Sequence, residues 1–263
     1  ARVAKARAGG GVAGCAHDDR GHGGTRAEDA PQGVFGSGDG LDKVLADVLA
    51  VNSLIRSRAE TPVVCFGHSM GSVIALNFAL RYPERISGLA CWNAGAEHGL
   101  MTMIPRFILG LEAGIRGRDR PSAITSKLTF ETWNRKFKPN RTESDWLSRD
   151  EVEVDRYVDD PLCGFNVSIG MWLDVLEGIR RGADSRKYAE LGQSMPVHVL
   201  GGGEDPCSNS GLDMQSLAQR FKTAGMNDVT LSILPETRHE SLNEVNRRQT
   251  TDDMLAWLTA RFP

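Results

Sequence analysis

A basic excess is the first thing this chain lacks. Its 31 Lys and Arg are outnumbered by 34 Asp and Glu, and a formal net charge of −3 offers no positive field for nucleic acid or for an anionic membrane. No apolar run is long enough to span a bilayer, and no stretch has the layout of a secretory leader, which predicts a soluble, cytoplasmic protein. The five cysteines, Cys15, Cys65, Cys91, Cys163 and Cys207, are odd in number and include no C-x-x-C pair. Cys65 and Cys91 fall inside apolar runs, so the set reads as small buried hydrophobes in a reducing compartment. The glycines Gly33, Gly36, Gly38 and Gly40 lack the G-x-G-x-x-G spacing and follow no strand, which excludes a dinucleotide fingerprint and leaves a loop. No methionine opens the chain: it starts at Ala1 in the middle of a pattern.

What is present is 263 residues of ordinary globular composition, enough for one large α/β domain or for a core with an insertion. The informative stretch is Val63-Val64-Cys65-Phe66-Gly67-His68-Ser69-Met70-Gly71-Ser72-Val73-Ile74-Ala75-Leu76. It reads as a buried strand, an abrupt turn and a packed helix, with Ser69 at the turn. Reversing a strand into a helix within two residues forces the central residue into a strained backbone conformation, and glycine at both flanks, Gly67 and Gly71, is expected to permit the close approach. The Ser69 hydroxyl is then held out from the sheet, and the helix start aims its positive end at the same spot, so the Met70 N–H is a candidate oxyanion donor.

Around this turn the pattern is that of a parallel sheet covered on both faces. Ala1–Ala8 resembles a helix end, Gly9–Gly11 its stop, and Val12–Ala16 a short strand. The polar turn Asp18-Asp19-Arg20-Gly21-His22-Gly23-Gly24-Thr25 reads as a structural loop, with a ligand contact as the alternative. Leu41 to Arg58 carries one apolar helical stripe, and Ile86–Trp92 is the next strand. Val197–Leu200 and Val229–Leu234 are further strands, with helices over Leu212–Ala224 between them and Arg247–Arg261 at the end. Between Asn93 and Met195 helices run without strand signals, which predicts a core in two parts, 1–95 and 196–263, around a helical cap at 96–195. Within the cap, Leu100–Leu109 fits either a core helix or the wall of an apolar acyl pocket. The acidic run from Asp150 to Asp160 is expected to be solvated or paired with arginine rather than to hold a cation.

A serine hydroxyl needs a base to take its proton. Of the six histidines, His68 adjoins Ser69 but is expected to point elsewhere, His22 lies in the glycine turn, and His17 ends a strand. His98 is in the cap and His198 is inside a strand. His239 follows the last strand, in a loop at the sheet edge where Ser69 emerges, just before the closing helix. Asp205, in Gly201-Gly202-Gly203-Glu204-Asp205-Pro206, sits at that edge after the preceding strand, with Glu204 as the fallback acid. Ser69, Asp205 and His239 are thus the expected nucleophile, acid and base, in that chain order.

These segments bring a family into view. Asp18-x-Arg20-Gly21-His22-Gly23, Gly67-His68-Ser69-Met70-Gly71, Gly203-x-Asp205-Pro206-Cys207 and Arg238-His239-Glu240 together resemble an α/β-hydrolase of the monoacylglycerol lipase and lysophospholipase group. The cap stretches Asp145–Asp150 and Asp159–Leu162 resemble bacterial members of that group. The resemblance implies hydrolysis of carboxylic esters, often of single-chain lipids, with no cofactor and no metal. It also implies a second oxyanion N–H from a His-Gly loop upstream of the segment matching Ala1, so that strands ahead of Ala1 are expected to be missing. A gap is then expected between Val12–Ala16 and Val63–Phe66. Two further functions remain open alongside ester hydrolysis: an aminopeptidase or amidase on the same fold, and a non-catalytic hydrolase-fold binding module.

Overall fold

A computed structural model of the chain describes residues 12–95, 100–122, 124–125 and 127–263, without the side chains of 100–102. The expected helix end at 1–8, its stop at 9–11 and His98 lie outside them. Four strands form one parallel sheet in the order β1 (Val64–His68), β2 (Gly88–Trp92), β3 (Val197–Gly202) and β4 (Val229–Leu234). Cys65 pairs with Leu89, Leu89 with Val197 and Val197 with Val229, so the strand ends that carry Ser69, Asn93 and Gly203 share one edge of the sheet.

Helices cover both faces because the strand residues are apolar on both. Leu89, Cys91, Val197 and Val199 point to one side. There they meet α1 (Gly40–Arg58), α2 (Met70–Arg81), α5 (Ile169–Gly182) and α6 (Leu212–Thr223) through Val44, Ile74, Phe78, Met171, Leu217 and Phe221. On the other side Ala90, Trp92 and Leu200 pack against Met254, Trp257 and Leu258 of α7 (Arg247–Arg261). This is the three-layer arrangement that near-continuous apolar strands require.

Val12–Ala16 is not a strand. The residues have no regular structure, and Ala13 to Ala16 are exposed. With no partner strand for them among the described residues, these five residues gain nothing by extending into a ladder. The expected gap therefore has no strand on its far side; among the described residues β1 pairs only with β2 and forms the sheet edge. The glycine-rich turn is the structural loop expected of it. Arg20 bonds the Asp47 carboxylate at 2.7 and 3.0 Å, Asp18 accepts from the Gly24 N–H at 2.9 Å, and the His22 ring lies against Phe35 and Phe165.

From β2 to β3 the described chain is helical. It runs through α3 (Leu100–Arg116), an irregular helical stretch at 127–137, α4 (Glu151–Asp159) and α5. α3 is one-sided: Leu109 is buried, while Met103, Phe107, Leu111 and Ile115, spaced by four residues, and the adjacent Ile104 are exposed. The acidic run is in part paired with arginines, Asp150 with Arg247 at 2.6 Å, Glu153 with Arg156 at 2.7 Å and Asp155 with Arg141 at 2.6 Å, and in part exposed, at Glu151, Asp159 and Asp160. Asp150 also caps α4 by accepting from the Val152 N–H. No helix among the described residues is long and apolar enough to cross a membrane.

Candidate active site

Ser69 sits between β1 and α2 at φ 55° and ψ −124°, a region sparsely populated by non-glycine residues. Its N–H donates to the Trp92 carbonyl at 2.9 Å, carrying the parallel pairing one residue past the strand, while its carbonyl already accepts from Ser72 and Val73 of the helix. The turn is held from both sides. A Cβ on Gly67 would stand 2.0 Å from the Gly71 carbonyl oxygen, so glycine is obligatory there; a Cβ on Gly71 would meet nothing within 4 Å. The expectation that both flanks need glycine for close approach holds for Gly67 and fails for Gly71. Met70 opens α2 and has no helical carbonyl behind it, which leaves its N–H directed out of the helix start beside Ser69.

His239 Nε2 lies 2.9 Å from Ser69 Oγ, and its Nδ1 lies 3.0 Å from Asp205 Oδ1. Asp205 is fully buried, which alone would disfavour its charge, but His239, the Ser208 hydroxyl and the Cys207 N–H hold its carboxyl below the usual carboxylate range. For His239 the balance has the same form. Burial opposes the imidazolium, Asp205 and then Glu240 favour it, and the net displacement is upward from 6.5. The two displacements agree: each partner favours the charged state of the other. Glu204, the fallback acid, is exposed and faces the Arg238 guanidinium at 3.9 Å.

Closeness of backbones makes this possible. A Cβ on Gly202 would stand 2.3 Å from the Thr237 carbonyl oxygen and one on Gly203 2.4 Å from that of Pro235, so the glycines after β3 let the loop carrying His239 lie against the turn carrying Asp205. Three further residues complete the surroundings. Asn93, buried at the end of β2 with φ 50°, donates to Asp205 Oδ2 at 3.3 Å and accepts from the Ser241 hydroxyl at 2.7 Å. Ser208 donates to the same Oδ2 at 2.7 Å. Sequence reasoning passed over all three; the available signal for Asn93 was a polar residue directly after a wholly apolar strand.

The other histidines lie elsewhere. His68 points at the backbone of the loop, its Nε2–H donating to the His239 carbonyl at 2.8 Å. His17 stands 3.3 Å from the Asp19 carboxylate, whose hydrogen bond raises its pKa, and His198 is buried in β3. Ligand atoms of His68, His239 and Glu240 fall within 4.8 Å of one another. Both ring nitrogens of His239 are taken by Asp205 and Ser69, His68 Nε2 is taken by the His239 carbonyl, and Glu240 Oε2 accepts from the Asn243 amide at 3.0 Å, which leaves this trio only His68 Nδ1 and Glu240 Oε1 to offer a metal ion.

A parallel sheet covered on both faces, with a strained serine at a strand-to-helix turn and the order Ser, Asp, His at one edge, defines an α/β-hydrolase fold. The chain belongs to the Hydrolase_4 family, described as serine aminopeptidase S33, whose pattern matches residues 1–246. It is similar to the monoglyceride lipase of Rattus norvegicus, 29% identical over an alignment 244 residues long that covers 88% of this chain and 71% of that protein. It is also similar to a monoacylglycerol lipase of Mycolicibacterium smegmatis, 25% identical over 215 residues covering 76% of this chain and 63% of that one. Among solved structures, a thermostable carboxyl esterase from Bacillus coagulans superposes with a TM-score of 0.82 at 19% identity, covering 92% of this chain and 79% of that one.

Proposed function

We propose that the protein is a serine hydrolase of carboxylic esters, with monoacyl lipids as the favoured substrates and Ser69, His239 and Asp205 as its catalytic residues. The observation that carries this reading is the unbroken pair of contacts, 2.9 Å from Ser69 to His239 and 3.0 Å from His239 to Asp205. The chemistry follows from it. His239 Nε2 takes the hydroxyl proton as Ser69 Oγ bonds to the ester carbon, and the carbonyl oxygen becomes an oxyanion facing the Met70 N–H. The tetrahedral adduct collapses by expelling the alkoxide, which receives the proton from His239, and leaves an acyl-enzyme on Ser69. Water, deprotonated by His239, attacks the acyl carbon, and the second adduct collapses by breaking the bond to Ser69 Oγ, which takes the proton back from His239 as the acid is released. No cofactor enters these steps.

Support for a lipid substrate comes from two directions. Relatives of this chain are named monoglyceride lipase and monoacylglycerol lipase. The exposed apolar face of α3, with Met103, Ile104, Phe107 and Leu111, suits a protein whose substrate collects at a lipid–water boundary. In this reading residues 96–195 form the cap, with α5 as its anchor on the core. The five free cysteines fit a cytoplasmic setting. The family's description favours a second reading, hydrolysis of an aminoacyl amide by the same three residues.

One experiment separates these readings. The protein is treated with a fluorophosphonate, the modified residue is located by mass spectrometry, and hydrolysis of a monoacylglycerol is compared with that of an aminoacyl p-nitroanilide. Labelling at Ser69 with preferential ester turnover is expected, and Ser69→Ala should lower that turnover by about a thousandfold or more while leaving the thermal midpoint close to that of the parent. Faster turnover of the anilide would favour the aminopeptidase, and absence of labelling would point to a binding module.

A further inference from the structure

The edges of the His239 imidazole go to Ser69 and Asp205, but its ring also has a neighbour. The Trp146 indole lies against it, with ring centroids 4.9 Å apart and planes inclined by 41°. Trp146 is only 5% exposed, and the Trp133 ring stands next in line, 6.5 Å from that of His239. Trp146 belongs to the helical region between β2 and β3, more than ninety residues from His239, and has no local reason to be there.

What keeps it there is a set of bonds between segment 145–150 and the loop that carries His239. The Leu147 carbonyl accepts from the Glu240 N–H at 2.7 Å, and the Trp146 carbonyl from that of His239 at 3.5 Å. The Arg238 guanidinium donates to the Asp145 and Ser148 carbonyls at 2.6 and 3.2 Å. The fully buried Glu244 carboxylate accepts from the Arg149 N–H at 2.7 Å and from its Nε at 3.0 Å. These bonds tie the two strips of chain together and hold the indole against the imidazole.

An aromatic face attracts a cation and is nearly indifferent to a neutral ring, and the attraction is strongest where water is excluded. His239 is neutral while it waits and cationic once it holds the Ser69 proton, so an interaction with its cation favours the transition state over the ground state. We propose that Trp146 is a positioning residue that sets the basicity of His239, its indole stabilising the imidazolium as the ring takes the proton from Ser69. This rests on the reading of His239 as the base. The other groups around the ring are Asp205 at Nδ1, Ser69 at Nε2, Glu240 next along the chain and His68, whose ring centroid is 4.9 Å away. Arg238 turns its guanidinium over the Phe137 ring, 4.1 Å from the centroid.

The test is the pH profile of kcat/KM for a soluble short-chain ester. The apparent pKa of the base is expected to fall by about half a unit to one unit in Trp146→Leu, and by less in Trp146→Phe, which keeps a weaker aromatic face. Fluorinated tryptophans incorporated biosynthetically withdraw density from the indole with almost no change of shape, and so serve where the leucine variant fails to fold. The apparent pKa should drop stepwise with the number of fluorines in the parent and stay fixed in a Trp146→Phe background, where any residual drop would report Trp133. A Trp146 that only fills space would lower the rate at every pH without moving the midpoint, and that result overturns the proposal. A parent whose rate is indifferent to pH overturns the base assignment and the proposal together; a pH-dependent parent whose midpoint ignores fluorination overturns the role of Trp146 alone.

Discussion

The two glycines that flank Ser69 are not equivalent, and the difference can be measured. Gly67→Ala drives a methyl group to 2.0 Å from a backbone oxygen that cannot rotate away, so strand and helix must part. Overpacking of this kind costs about 1–3 kcal/mol or more, and the thermal midpoint should fall by several degrees with loss of turnover. Gly71→Ala meets open space and should fold with a midpoint within a few degrees of the parent; a large loss there would mean that the turn is packed differently. At His239 the pH dependence has a definite sign. In the proposed mechanism the neutral imidazole is the base, so hydrolysis should fail as pH drops through its pKa, and because Asp205 and Glu240 outweigh burial, the midpoint should lie above the ordinary 6.5 rather than below it. An undiminished rate at pH 5 would rule out a histidine base.

At the scale of elements, α3 is where sequence and structure meet least directly. Its sequence fits either a core helix or the wall of an acyl pocket and is silent on what covers the apolar side, since an apolar pattern names a face without naming a neighbour. Leu109 turns inward and Phe107, 68% exposed, turns to solvent. Phe107→Asp should therefore leave stability nearly unchanged while lowering turnover of an aggregated monoacylglycerol severalfold more than that of a short soluble ester; equal effects on both would remove α3 from any role at a lipid surface. The four strands were legible because each is a short run rich in apolar residues and ended by turn residues, and α1, α2, α6 and α7 because the apolar positions that mark them are local. Val12–Ala16 shows the limit of that signal: a short apolar run needs a partner strand, and partners are not written in the run itself. The positions of Ser69, Asp205 and His239 could be inferred because each follows a strand, and parallel strands deliver their ends to one edge. Asn93, Ser241 and Trp146 could not, because what makes them matter is a contact made across long stretches of chain.

For the whole molecule, acid stability follows from what is buried behind the site. His198 lies inside β3 with Nδ1 accepting from the Trp92 indole N–H at 2.9 Å and its ring against Trp257. Burial, and then the Arg261 charge, lower its pKa from 6.5 to about 4. A depressed folded value means that the native state holds the ring neutral while the unfolded chain takes a proton, so the contribution is complete above about 6.5 and is lost as pH falls toward 4. Between pH 7 and pH 5 that loss is about 2 kcal/mol. Asp174 works in the opposite sense. Burial, only partly relieved by Arg118 at 3.5 Å, raises its pKa from 3.8 to about 6, so protonation in the same window returns about 1 kcal/mol to the native state. Asp174 offsets only about half of the His198 loss, and the variant that separates the two is His198→Asn, which keeps an acceptor for Trp92 and cannot titrate. Urea unfolding at both pH values should show the parent losing about 2 kcal/mol more than His198→Asn between pH 7 and pH 5, whatever the other groups contribute, because those are common to both chains. Parallel losses in the two proteins would mean that His198 carries its proton in the folded state, and that Trp92 faces a donor rather than an acceptor.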